Sequence, residues 1–236
     1  MIPGIIVCNI VGSVISPLMS NLLLDELDKE LEKRGHRFVR YADDSNIYVK
    51  SQRAGQRVME SITNFLEQKL KLKVNKQKSA VGKPSERKFL GFSFSAGKQL
   101  KRIIAPNALK RFKERIRQIT GRNRGVSLQQ VIEELRKYLR GWQSYFGFCQ
   151  TPSLMKELNS WIRRKLRCFI FKQWKKAKNK YSQLRKRGVE HTLAAITVSS
   201  GRGVWHISNT LALRIALPSS YFSLSGIPEL TSQKFV

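Results

Sequence analysis

The sequence predicts an α+β chain: a small antiparallel sheet backed by helices, then a mainly helical part that is strongly basic. Three observations carry this. Two runs of alternating polarity, 37–41 and 46–50, lie only four residues apart, as in a hairpin. Segments of helical period flank them, with Leu24, Leu27 and Leu31 before and Val58, Ile62, Phe65 and Leu66 after. Beyond Pro106 the period is helical almost throughout, and the charge changes with it. Residues 97–187 hold 26 Lys and Arg against four Asp and Glu, whereas residues 1–50 hold six against seven.

In chain order, residues 16–35 read as a helix with a leucine face, paired charges outside and Gly35 as its stop. The hairpin follows, with Ala42, Asp43, Asp44 and Ser45 between its strands. After the second helix, Leu70, Leu72 and Val74 alternate as on a strand, and KFLGFSF (88–94) reads as another. The layer ends near Gly97.

Next comes a basic amphipathic helix with Leu109, Phe112, Ile116 and Ile119 inward. Ser127 with Gln130 resembles a capping box, opening a helix with Leu128, Val131, Ile132, Leu135 and Leu139 inward. A third helix starts after Pro152, so three helices are expected to pack as a bundle. Trp142, Tyr145, Phe146 and Trp161 recur at helical spacing, which favours a place in its core over the alternative of stacking on unpaired bases. In the tail from Gly188 only 204–217 shows a clear apolar pattern.

A formal charge of +29 in 236 residues exceeds what solubility asks for and points to a polyanion. The basic residues are interleaved with Trp, Phe and Tyr over several helices, which favours nucleic acid over a membrane surface. Residues 1–24 are uncharged, but Pro3, Asn9, Pro17 and Asn21 interrupt them and no basic leader precedes them, so no membrane span is expected. Cys8, Cys149 and Cys168 are odd in number and far apart, which fits a reduced intracellular compartment.

The chemistry rests on Asp43 and Asp44. Adjacent carboxylates at a hairpin tip can offer oxygen ligands to a hard divalent cation such as Mg²⁺. Phosphoryl transfer by two ions about 3.5–4 Å apart needs a further carboxylate from another element. The chain has only two other aspartates, Asp25 and Asp28, and Asp25 with Lys29 reads as a helical ion pair.

Tyr41, Ala42, Asp43 and Asp44, preceded by FVR, resemble the YADD motif of group II intron-encoded reverse transcriptases, which also act as maturases. The segment GSVISPLMSNLLLDELD ahead of it, and VNKQKS and KFLGFSF behind it, are similar to palm segments of that family, in order. KYLRGWQSYFG and LNSWIRRKLR resemble its thumb or maturase domain, and LALRIALPSSYFSLSGIPEL its C-terminal portion. The resemblance implies a partial polymerase palm over 1–97, matched from about residue 12, a helical thumb/maturase domain over 98–187, and a C-terminal maturase extension over 188–236.

It implies RNA-directed DNA polymerase lineage, with binding of group II intron RNA and assistance to splicing. Primer and template nucleic acid are the further partners, in a bacterial cytoplasm or an organellar matrix. Asp43 and Asp44 are then the catalytic metal ligands, and Tyr41 and Ala42 lie near the nucleotide and the primer end. Lys78 is placed near the phosphates, and Gly91, in the turn Phe89–Leu90–Gly91, against the primer strand. The family's fingers and an earlier palm aspartate have no counterpart here, and residues 1–11 do not resemble the palm. The expectation is a C-terminal piece with an incomplete two-metal site, open to complementation by a separate fingers and palm fragment.

For RNA phosphates the candidates on the first basic helix are Arg111, Lys113 and Arg117. Further along they are Arg163, Arg164, Lys165, Arg167, Lys175 and Lys176.

Overall fold

The computed structural model describes residues 2–7, 16–96 and 99–231, with side chains from Leu18 onward. Gly12, Val11, Cys8 and Gly97 lie outside the described residues. The chain forms two compact units, Met1–Lys98 and Gln99–Val236.

The first unit runs β1 (Ile2–Val7), α1 (Ser16–Lys33), β2 (Arg37–Tyr41), β3 (Asp44–Val49), α2 (Gln52–Asn64), β4 (Ala80–Val81) and β5 (Phe92–Phe94). Its main sheet has the order β2-β3-β1-β4, and each neighbouring pair is antiparallel. This is a split β-α-β arrangement, in which β1 lies between the strands that follow it. Leu24, Leu27 and Leu31 of α1 meet Ile47, Ile62, Leu66 and Val74 in one buried core. Gly35, at φ +68°, ends α1, and the amides of Gly35 and His36 cap the carbonyls of Glu32 and Leu31. Helix α2 begins at Ser51, whose hydroxyl accepts from the Ala54 amide, and it lies so close to β4 that a Cβ on Gly55 would sit 2.5 Å from Val81.

Two expected strands come out differently. After α2 a π turn spans Phe65–Lys69, the Leu70 and Leu72 amides donate back to the Phe65 and Leu66 carbonyls, and of residues 70–75 only Val74 makes a β-bridge. The apolar alternation there supplies Val74 to the core rather than forming a strand. KFLGFSF is bent in its middle, because Leu90 and Gly91 both take positive φ and Phe89 exchanges two backbone bonds with Phe92. That is a tight two-residue turn, and only Phe92–Phe94 is strand. Residues 2–7, which carried no expectation, form a strand.

The second unit opens with β6 (Arg102–Ile104) and continues with α3 (Pro106–Ile119), α4 (Leu128–Phe146), α5 (Pro152–Gln173) and α6 (Ala177–Lys186). Proline begins α3 and α5, where the missing amide costs nothing, and the Ser127 hydroxyl caps α4 by accepting from the Gln130 amide. Phe112, Ile116 and Ile119 of α3 are buried, as are Leu135, Leu139 and Trp142 of α4 and Leu158, Ile162 and Leu166 of α5.

The tail is far more ordered than its pattern predicts. It forms α7 (His191–Ser199), α8 (Val204–Ile207), α9 (Leu211–Ala216) and α10 (Ser219–Leu224), most of them too short to reveal a helical period. Polar side chains of the long helices hold it. Asn159 exchanges two bonds with Leu230, Arg136 donates to the carbonyls of Ser225 and Gly226, and Arg167 donates to that of Leu217.

Candidate functional site

The hairpin is tighter than its sequence suggests. Tyr41 pairs directly with Asp44, so the turn consists of Ala42 and Asp43 alone, and Asp44 is the first residue of β3. A two-residue hairpin turn requires positive φ, and Ala42 supplies it at +52° without being glycine. Arg40 holds this strained position: one amino group donates to the Ala42 carbonyl at 3.0 Å and to Asn21, while its other nitrogens grip Asp28 at 2.6–3.0 Å. Asp28, on α1, therefore acts on the turn through Arg40. Nothing in the linear pattern signalled this, because the pair is twelve residues apart. An open cleft of about 630 Å³ is lined by Asn21, Asp28, Arg40 and Ala42 together with Phe38 and Tyr41, and Tyr41 is 63% exposed.

Asp43 and Asp44 are both half-buried, and neither forms an ion pair among the described residues. Burial, and then the Asp43 charge, hold the Asp44 carboxyl above the ordinary range, against the pull of Lys78 and Lys88. Lys78 is thus near Asp44, with its amide held by the Asn75 side chain. Gly91 sits in the second tight turn at φ +76°.

A raised folded-state pKa means that the folded chain holds this proton more firmly than the unfolded one. The group contributes stability that is complete below the unfolded value and is lost as pH rises through the folded value. Asp44→Asn, which cannot ionise, is expected to melt up to a few degrees higher at neutral pH in chelator, a gain of at most about 1 kcal/mol given the solvent exposure. The gain should vanish below about pH 4. Thermal melts across pH check this, and a variant destabilised at neutral pH would contradict it.

For metal, the donor set fits one divalent ion: two adjacent carboxylates, one of them destabilised by its neighbour's charge, gain from a cation placed between them. It does not fit two ions. Among the described residues no three His, Cys, Asp or Glu side chains converge. Asp25 is engaged by Lys29 at 2.8 Å and Asp28 by Arg40. On the far side of Asp44 the residue in register is Val7 of β1, not a carboxylate.

In the second unit, Arg111 and Arg117 of α3 and Lys175 and Lys176 after α5 are exposed, while Lys113, Arg163, Arg164 and Lys165 are half-buried. Arg167 departs from its expected role. It is buried, donates to the Leu217 carbonyl at 2.9 Å, and is pushed down to about 10 by burial and by Arg163 and Arg214. It ties α5 to the tail instead of facing a phosphate. Of the aromatic residues expected in the core, Trp142 is buried, whereas Tyr145 is exposed and Trp161 half-exposed beneath cations.

Two stretches match known families. Residues 9–94, which hold the hairpin, match the family described as reverse transcriptase (RNA-dependent DNA polymerase). Residues 109–188, from α3 through α6, match the group II intron maturase-specific domain. The chain belongs to the group II intron reverse transcriptase/maturase family. The two matches fall in different structural units and together cover more than two thirds of the chain. No curated protein matches it. In this reverse transcriptase/maturase chain the YADD segment is the hairpin just described, and the maturase-specific stretch is the most basic part of the sequence. Among the described residues, no helix is long and apolar enough to cross a membrane.

Proposed function

We propose that this chain binds group II intron RNA through its basic helical unit and assists the intron's folding for splicing. The observation that carries this is the coincidence of the maturase-specific match with the charge excess: 26 basic residues against four acidic ones over 97–187. Few of these cations are neutralised within the protein. Among the described residues of the second unit, ion pairs join only Arg124 to Glu134, Lys137 to Glu133 and Arg163 to Glu229. So concentrated a positive field needs a polyanion, and counterion release drives the association.

A second reading, RNA-directed DNA polymerisation, is favoured by one feature: the paired carboxylates on the strained turn of the reverse transcriptase segment. In that reading the first unit is part of a palm and the helices after it a thumb. Asp43 and Asp44 would hold one Mg²⁺, which supplies Lewis acidity toward a phosphoryl oxygen, and Tyr41, Ala42, Lys78 and Gly91 would border the nucleotide and primer. A second carboxylate source, such as a separate palm fragment, is needed for two ions. The chain alone is therefore expected to be a binding and splicing factor.

The test assays the chain for binding and splicing of a group II intron RNA, and for primer extension on an RNA template with Mg²⁺. Intron binding with accelerated splicing, unaffected by Asp43→Asn, is the expected result. Failure to bind intron RNA would overturn the proposal. Extension abolished by Asp43→Asn would establish the polymerase reading.

A further inference from the structure

Around the start of α8 the second unit stacks cations on two indoles in an alternating row. The Arg164 guanidinium lies 4.0 Å from the Trp205 ring centre, and Lys165 Nζ lies 5.0 Å from Trp205 and 5.7 Å from Trp161. Arg117, from the last turn of α3, lies 5.7 Å from Trp161. Three elements, α3, α5 and α8, thus bring three cations and two partly exposed rings together, with Trp205 at 37% exposure.

Among the described residues the cluster has no protein counterion: no carboxylate pairs with Arg117, Arg122, Arg164 or Lys165. The charges acting on the buried Cys168 thiol beneath it are Arg122, Lys165 and Arg164, all cationic. Arg164 is fixed in place, one amino group donating to the Trp205 carbonyl at 3.0 Å while its buried Nε has no partner. Lys165 is held below the usual lysine range by burial and then, among its neighbours, by Arg117 and Arg122. Such a cost in like-charge repulsion and desolvation is recovered when an anion arrives.

We propose that Trp161, Trp205, Arg117, Arg164 and Lys165 form a binding site for a single-stranded stretch of RNA, an unpaired base stacking on an indole while the adjoining phosphates meet the cations. The chemistry matches both halves of a nucleotide. Indole faces accept any base, and arginine and lysine take the phosphates. A duplex offers only the phosphates, and an anionic membrane offers no planar ring to stack. The site rests on the RNA-binding reading above and names which part of the RNA it takes.

The experiment measures binding of the full chain to a ribo-oligouridylate of about twelve nucleotides, a length that single-strand sites span. A duplex RNA serves in parallel. Trp205→Ala and Lys165→Gln are each expected to weaken single-strand binding about 5- to 100-fold, with a smaller effect on the duplex. Trp205→Phe keeps a stacking face and should restore most of the affinity. Lys137→Gln, on α4 and paired with Glu133, should leave it within about twofold. Tryptophan fluorescence provides a second readout. Trp142 and Trp174 are buried, so quenching by the oligonucleotide should come from Trp161 and Trp205 and fall when Trp205 is phenylalanine.

If the wild-type chain binds intron RNA but Trp205→Ala and Lys165→Gln leave single-strand affinity unchanged and Trp205→Phe leaves the quenching unchanged, this site is wrong and the RNA-binding reading stands. If the wild-type chain binds no RNA, both fall. Tighter binding to phosphatidylserine vesicles than to the oligonucleotide would also overturn the site. Should Trp205→Ala unfold, the affinity of Lys165→Gln and the quenching of Trp205→Phe decide.

Discussion

Raising monovalent salt from about 50 to about 200 mM should weaken RNA binding by this chain about 300-fold if the contacts are to single strands, and about 2,000-fold if they are to duplex. Nine residues are candidate phosphate contacts by sequence, but Arg167 is buried against the Leu217 carbonyl. Of the eight left, Arg163 is partly engaged by Glu229 at 3.7 Å. Six phosphates neutralised is thus a modest count, giving a slope of about −4 in log affinity against log salt on single strands. A 300-fold change is worth about 3.4 kcal/mol. Lys175→Gln with Lys176→Gln should flatten the slope by about 1.4, because each removes one phosphate contact and neither side chain is packed. Filter binding or anisotropy over a salt series measures this. A slope shallower than about −2 would mean that the positive surface is not where RNA lies.

What the sequence made legible was whatever repeats with a period or sits in a short motif. The leucines of α1 and the apolar stripes of α3 and α4 are visible as periodicity and are buried where the period places them, except in the first turns, where Leu109 and Leu128 are only half-buried. Asp43 and Asp44 were legible as a pair. Their geometry was not, because the difference between a four-residue and a two-residue turn depends on Ala42 accepting positive φ, and Arg40 and Asp28 enforce that from twelve residues apart. Residues 70–75 alternate like a strand, yet backbone bonds to the end of α2 take Leu70 and Leu72, and only Val74 is left to make a bridge. The tail misled for another reason. Its helices of four to nine residues are stabilised by Asn159, Arg136 and Arg167 from distant helices rather than by their own pattern. The cation and indole row was equally invisible. Trp161 and Trp205 are 44 positions apart in sequence, and only the packing of α3, α5 and α8 brings the charges between them.

Phe112→Ala should destabilise the second unit by about 3–5 kcal/mol. The ring is 1% exposed and is clasped by α4: Trp142 lies 4.3 Å away centre to centre, tilted by 40°, and Tyr138 stacks at 5.8 Å. Trp142 in turn leans on Phe146 at 4.9 Å, so removing Phe112 opens a cavity in a row of rings that cannot all shift to fill it. Domains of this size are stable by only about 5–15 kcal/mol, so the loss is a large share, and the melting temperature should fall by about 10–20 °C. Phe112→Leu, which keeps most of the volume, should cost much less, near about 1.5 kcal/mol. Function should follow folding and nothing else, because Arg111 and Arg117 lie off the buried face of the same helix and are exposed. Well below its melting temperature Phe112→Ala should therefore keep the wild-type salt slope, and RNA binding should be lost only as the unit unfolds. Parallel melts and salt titrations check this. A variant that melts like wild type would show that α3 and α4 do not share this core, and a changed slope in the folded variant would show that the ring row itself shapes the phosphate-facing side.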